Sequence, residues 1–464
     1  MALDWREIDR FLMGEAWAGS RIPEYRDYLC HEIGSRWGGS EGDFRAAEYI
    51  RGQMSLHGLD SVRVEQFELD TWNYTSAIAR IPDTSEQLEI KPFLRCPAID
   101  LTAPVIDLGY GTPRDIDAAS DTICGAIVVL NLGSEPFTPP LPHTARLSLV
   151  AEKGAAAAVV VESKTGGRME YRSANDWRAP GIAPHPLPTV NISFEAGGRL
   201  RYLAGKGYQL QLKVESRFFD TPANNVIGEI PGEVWPDEHV IVAGHHDTVF
   251  GTVGGNDNTS GTIAVMEAAR VLAALKKETG VGPARTIRFA TWSGEEQGLQ
   301  GAYAYVAKHH GKNGLTAPPR FALNLDELST GHMKGVVVMT EHMRDFMQGQ
   351  LDTMSDALQC HVQGPLDAHS DHFPFVRAGI PAGILWRWRF FGRHATSEFH
   401  HEFGDSAQKL NVRELKEYVG QISRLMLRLS HVTPGDWPNN PHTAEEMERR
   451  AVSEIGSHTP TFHG

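Results

Sequence analysis

His245, Asp257, the adjacent Glu295 and Glu296, Asp326 and His401 follow one another in an order that suits a water-activating two-metal site, so the chemistry to expect is hydrolysis. Three of these positions lie just past strand-like runs. His245 follows His239-Val-Ile-Val-Ala-Gly244, Glu295 follows Thr286-Ile-Arg-Phe-Ala-Thr-Trp292, and Asp326 follows Phe321-Ala-Leu-Asn-Leu325. In open α/β sheets the carboxyl ends of strands are where ligands gather.

Each residue has a chemical reading and a plainer one. His245 and Asp247 are two apart at a strand end, so both side chains leave on one side, and the Asp247 carboxylate can fix the imidazole tautomer while the other nitrogen takes a metal. The plain alternative is a solvated loop histidine beside a capping Asp. Asp257 lies in the Gly-rich stretch Gly254 to Gly261, directly before a helix, and its two oxygens can bridge cations about 3.5 to 4 Å apart. Helix starts favour Asp, Asn, Thr and Ser anyway. Glu295 and Glu296 diverge as neighbours, which suits one carboxylate on metal and the other on the attacking water; buried together without cations, one would take up a proton. The alternative is two exposed acids in a first helical turn. Asp326 ends an apolar run, where a charge is expected only if paired or metal-bound, and Glu327 is expected to turn away. His401 is preferred to His400 for its spacing to Asp405, which would orient the ring or the loop, and because alternation turns the neighbour outward. A donor set of oxygen and nitrogen without thiolate suits two Zn²⁺ ions, with Mn²⁺ or Co²⁺ as substitutes.

The elements that must carry these residues follow from periodicity. The start reads helix, turn at Gly39 to Asp43, helix from Phe44 to His57 with Ala47, Ile50 and Met54 on one face, then a strand from Ser61 to Leu69. From about Ala77 to Arg217 short β-like pieces alternate with Pro-rich loops, a separate β-rich insert. From Ala223 apolar strands alternate with amphipathic helices such as Thr262 to Lys276 and Glu414 to Ser430, which predicts an α/β fold with a mixed, mostly parallel sheet flanked by helices. The expected division is 1–75 with 218–432 as one domain, 76–217 as the insert and 433–464 as a loosely docked tail.

Composition bounds the function. With 464 residues, 41% hydrophobic and 22% charged, the chain can build more than one core. A formal charge of −14 offers no basic face, so nucleic acid and anionic membranes are not expected partners. Met1 to Arg10 has no signal-peptide pattern and no later run approaches a membrane span, so the expected location is cytoplasmic, with a secreted mature form left open. Cys30, Cys96, Cys124 and Cys360 carry no CxxC spacing and read as reduced, individually buried thiols.

Taken together, the segments resemble the M28 family of co-catalytic zinc peptidases. Gly244-His-His-Asp-Thr248 resembles its His-x-Asp motif, Gly254 to Gly261 its bridging-Asp loop, Gly294-Glu-Glu-Gln-Gly-Leu299 its Glu-Glu motif, and Asn324-Leu-Asp326 and Phe399-His-His401 its last two ligand positions. Ser370-Asp-His-Phe-Pro-Phe375 fits a further signature, and the insert resembles a protease-associated domain at Gly125 to Leu130, Lys153 to Val161 and Leu187 to Ser193. The resemblance implies His245 and Asp326 on one metal, Glu296 and His401 on the other, Asp257 between them, and Glu295 as general base to a metal-bridging water. It implies an exopeptidase acting on a peptide or small amide, aminopeptidase first and carboxypeptidase or dipeptidase next. Homo-oligomerisation is left open. A non-catalytic binding relative and a glutaminyl-cyclase-like transferase share the architecture, but the complete ligand set argues against both. Two departures stand out: Asp326-Glu-Leu-Ser replaces an apolar residue and Gly, and Phe399 stands where Tyr often precedes the histidine. Trp386 to His394, rich in Trp and Arg, reads either as a substrate-lining stretch or as a surface lid.

Overall fold

In the computed structural model, residues 3–175, 182–311, 314, 317–329, 331–386 and 399–455 are described. The Trp386 to His394 stretch therefore falls almost wholly outside the described residues. Two compact units emerge: one formed by Met1–Leu69 and Thr221–Ser457, the other by most of 70–220. The long strands Asp60–Ile81 and Gln209–Ile230 carry the chain out of the first and back.

The first unit is built on a mixed sheet. Trp235–His245 is paired in parallel with Arg285–Trp292 on one side and with Ala322–Asn324 on the other, and Ala382–Trp386 continues the parallel run. Antiparallel pairings bound this run, through Val226–Ile230 against Arg285–Trp292 and through Gly335–Val338 against Ala382–Trp386. Arg285–Trp292 is buried along its whole length, as both faces of a parallel strand should be when helices cover them. The helices Trp5–Ala18, Gly261–Thr279 and Val412–His431 pack on one another, and His372–Arg377 packs on both Gln300–His310 and Ala444–Ile455. Asp9, in the first helix, receives Arg424 at 3.0 Å and Arg428 at 2.8 Å from the Val412–His431 helix. Because Trp292 stands level with His245 and Asn324 level with Ala243 in parallel strands, the segments carrying His245, Glu295 and Asp326 all leave the same edge of the sheet.

The expected tail differs. Ala444–Ile455 is a helix with Met447 and Ala451 buried, and Glu448 forms two 2.6 Å bonds with Arg377. Two apolar positions one turn apart make too short a stripe to read as a period.

The second unit has its own core and sheet. Ile99–Asp107, Ile127–Asn131, Ala157–Val161 and Thr189–Ile192 run parallel, with Ile90–Pro92 antiparallel at the edge. Helices His143–Glu152 and Phe194–Ala204 belong to it, so it is more helical than the β-like texture implied. The first of these is obscured in the sequence by Arg146, a buried cation that donates to the carbonyls of Asn131 at 2.7 Å and Leu132 at 2.5 Å. Its charge interrupts an otherwise apolar face.

All four cysteines are free, but Cys124 is exposed, against the expectation that each is buried. No helix among the described residues is long and apolar enough to cross a membrane.

Candidate metal centre

The strand ends bring the six sequence-selected ligand and base residues to one place. His245 Nε2 lies 3.4 Å from Asp257 Oδ1, 3.5 Å from Asp326 Oδ1 and 3.8 Å from Glu295 Oε2. His401 Nε2 lies 3.0 Å from Glu296 Oε2 and 3.4 Å from Asp257 Oδ2. The two oxygens of Asp257 thus face two different imidazoles.

Local structure fixes each donor. His245 Nδ1 is 3.1 Å from the backbone carbonyl of Asp247 and 3.5 Å from its carboxylate Oδ1, so the one residue holds the ring with both groups. The Asp247 carboxylate also accepts the N–H groups of Glu295 at 3.2 Å and Glu296 at 3.3 Å and shapes their turn. Asp405 grips the Asp257 loop and not the ring: its oxygens accept from Asn256 N at 2.8 Å and Asp257 N at 2.9 Å. Gly261 lets this loop close, since a Cβ there would meet the Leu325 carbonyl at 2.2 Å. Asp326 Oδ2 accepts from Ser370 Oγ at 2.9 Å, and Ser370 is itself held by Asn324 Nδ2 at 2.7 Å.

Two expectations about neighbours are corrected. His400 does not turn outward: its ring stacks on His401 with 3.7 Å between centroids, and its Nδ1 is 2.9 Å from Asp257 Oδ2. Glu327 does not turn away either; it is buried, with Oε1 3.2 Å from both His400 Nδ1 and Asn256 Nδ2. Strict alternation requires extended backbone, and His401 at φ 55° and Glu327 at φ 49° are left-handed.

Asp371 was quoted only as part of a signature, yet it belongs here. It is buried, and among the described residues both of its carboxylate oxygens lack a hydrogen-bond donor. Burial, then the charges of Asp247, Asp326 and Glu296, push its pKa well above the ordinary value against the pull of His245. A carboxylate one residue past the serine that holds Asp326 was the available signal.

Electrostatics tests the site for cations. Burial lowers the basicity of His245, but Glu295 foremost and then Asp247, Asp257 and Asp326 hold its pKa well above the ordinary value. His401 follows the same pattern, with burial overcome by Glu296 and Asp257. Burial raises Glu295 far above the carboxylate range, and Glu296, Asp371 and Asp326 add to it. Burial also raises Asp257, yet bonds from His245, His400 and His401 bring it well below its usual value. The polypeptide alone balances this charge with protons on imidazoles and on Glu295; bound dications would do so with the carboxylates ionised. Among the described residues, His245 Nε2 and Glu296 Oε1 are buried without a hydrogen bond, as expected of atoms reserved for a metal. The donor set therefore fits divalent cations, and the ligand groups that satisfy this geometry include His245 with Asp257 and Glu296, and His245 with Glu295 and Asp326.

The model of peptidase family M28 matches residues 225–426, the part of the chain that carries this buried imidazole and carboxylate cluster at the carboxyl edge of the sheet. Carboxypeptidase Q of Xenopus laevis is 25% identical over 417 residues, covering 86% of this chain and 83% of its own. A probable leucine aminopeptidase 2 of Aspergillus oryzae is also 25% identical, over 420 residues, covering 85% and 79%. A zinc aminopeptidase from Bacillus subtilis shares the fold with a TM-score of 0.69 at 22% identity, over 91% of this chain and 98% of that one.

Proposed function

We propose that this chain is a dinuclear zinc exopeptidase that removes residues from the amino end of peptides. The observation that carries the reading is Asp257, with one oxygen toward His245 and the other toward His401. On this reading His245 and Asp326 hold one zinc, Glu296 and His401 the other, and Asp257 joins them. The zinc of the Bacillus subtilis relative supports the choice of ion.

When bound, two zinc ions lower the pKa of a water toward about 7 and polarise the scissile carbonyl. Glu295, beside but outside the proposed ligand set, takes the proton from the attacking water and delivers it to the departing amine. Without metal, burial and then the neighbouring carboxylates raise its basicity against the pull of His245. Asp247 holds the turn that aims it, and Ser370 fixes the lone pairs of Asp326.

The carboxyl groups of Asp247, Asp257, Glu295, Glu296, Asp326, Glu327 and Asp371 outnumber the four charges of two zinc ions. The surplus favours a substrate ammonium over a substrate carboxylate. The name of the carboxypeptidase Q relatives favours the opposite end and supplies the second reading. Hydrolysis of an aminoacyl-anilide against an N-blocked dipeptide separates them, with metal content measured on the same sample. Cleavage of only the blocked dipeptide overturns the aminopeptidase reading; full activity in a preparation stripped of divalent ions overturns both. The second unit is read as a protease-associated insert.

A further inference from the structure

Asp43 lies two hundred residues before the first proposed ligand, in the first turn of the helix Glu41–Leu56, and its carboxylate is wholly buried. The helix start is already capped by Ser40, whose Oγ accepts from Asp43 N at 3.3 Å. An acid at this position ordinarily serves the helix end from the surface, where it stays hydrated. Burying it instead carries a desolvation cost that capping alone does not explain.

Its bonds point elsewhere. Both carboxylate oxygens lie 2.9 Å from Ser293 Oγ and Oδ2 accepts from Gly39 N at 2.9 Å, while Oδ1 approaches His246 Nε2 to 3.1 Å in a contact without hydrogen-bond geometry. His246 is fixed at its other nitrogen, 3.0 Å from Thr291 Oγ1. Ser293 follows the last strand residue Trp292 and precedes Glu295 by two positions; His246 follows His245 directly. Since Trp292 and His245 stand level in neighbouring parallel strands, one carboxylate ties two strand ends at the point where both turn into the site. The same N-terminal stretch holds the far end of the turn, where Gln297 Nε2 donates to the Gly38 carbonyl at 3.0 Å.

We infer that Asp43 is a positioning residue of the metal centre, acting through Ser293 and His246 to set the directions of Glu295, Glu296 and His245. The inference rests on the reading of those residues as metal ligands and base. Asp247 holds the Glu295 and Glu296 N–H groups, and Asp43 holds the side chain that enters the turn, so the base and one ligand project from backbone fixed at both ends.

The test uses the full chain with Asp43→Asn, Ser293→Ala and the double variant. Zinc affinity is measured by competition with a chromophoric chelator, which needs no substrate, and kcat and KM with an aminoacyl-anilide at saturating zinc. Removing a group that orients metal ligands weakens zinc affinity or kcat by about 10- to 100-fold, with KM held within about threefold. The double variant loses no more than the worse single one, because both act through one link. Folded single variants with wild-type zinc affinity and kcat overturn the inference, as do losses that multiply in the double variant. Should Asp43→Asn fail to fold, Ser293→Ala, which removes one hydroxyl, decides alone, and wild-type values in it overturn the inference. A wild-type chain that binds zinc but cleaves neither probe removes the peptidase reading and leaves the zinc-affinity arm to judge Asp43; a chain that takes up no zinc overturns both.

Discussion

Replacing Asp405 by Asn tests how much of the metal centre is held by a residue that need not touch metal. The two oxygens of Asp405 accept the N–H groups of Asn256 and Asp257 at 2.8 and 2.9 Å, and the group is buried. An Asn offers one oxygen, so one of those bonds is lost and an NH₂ faces a backbone N–H. Burial raises the Asp405 pKa to about 7, so the carboxylate is charged above that pH, where a hydrogen bond to a charged partner contributes about 1.5–3 kcal/mol. At about 1.4 kcal/mol per decade, that is roughly one to two decades in metal affinity if the whole cost falls on the geometry of Asp257. The assay is a zinc competition titration on Asp405→Asn, with thermal unfolding measured in parallel under chelator. The expected result is a weaker zinc constant in a chain that still folds. Unchanged zinc affinity with a lowered Tm would refute the reasoning, because Asp405 would then support only the loop's stability.

Glu295→Gln should retain zinc while kcat falls by about two to four decades, the usual scale for losing a general base; steady-state kinetics with metal analysis checks it, and wild-type turnover removes Glu295 from the chemistry. Chelation should lower Tm reversibly, since a ligand held at about 100 times its dissociation constant stabilises by roughly 2.7 kcal/mol; scanning calorimetry with and without zinc reads this, and an unchanged Tm argues against a metal in the fold. Away from the site, burial raises the Glu65 pKa, but bonds from His309, Arg63 and Lys308 overcome it and depress it far below the carboxylate range. Its stabilisation is therefore full above the unfolded carboxylate pKa of about 4.3 and is lost as pH falls toward the depressed folded value. The Tm gap between wild type and Glu65→Gln should be widest near neutral pH and shrink in acid; a gap that widens in acid contradicts this sign.

That the proposed ligands converge was legible because a charge that ends an apolar run is chemically conspicuous. Asp326 was readable from burial at a strand end alone, whereas His245 stood out only in the company of the other donors; the parallel register delivers both to one edge. Orientation was less legible. The sequence assigns His400 and Glu327 to the outside by alternation, and two left-handed residues reverse that assignment, a backbone property that neither Glu nor His announces. The roles of Asp247 and Asp405 were half readable: their closeness to the ligands was evident, but whether a carboxylate binds a ring or a backbone N–H depends on loop geometry. Asp43 was read only as part of a turn, since nothing local distinguishes a capping acid from one turned inward on a partner 250 residues away. The helix Ala444–Ile455 escaped for the opposite reason, a stripe too short to be periodic.

The pairing of the helices Trp5–Ala18 and Val412–His431 through Asp9 bears on when the proposed ions could be acquired. A nascent polypeptide that has emerged through His401 already owns every donor, yet the helix that covers the central strands has still to be made. Contacts that link such distant stretches form late, after much loop-closure entropy has been lost. On the proposed dinuclear zinc reading, metal loading follows synthesis of the whole chain, and cells growing on scarce zinc should accumulate a folded, chelator-insensitive apoprotein, not ribosome-stalled fragments.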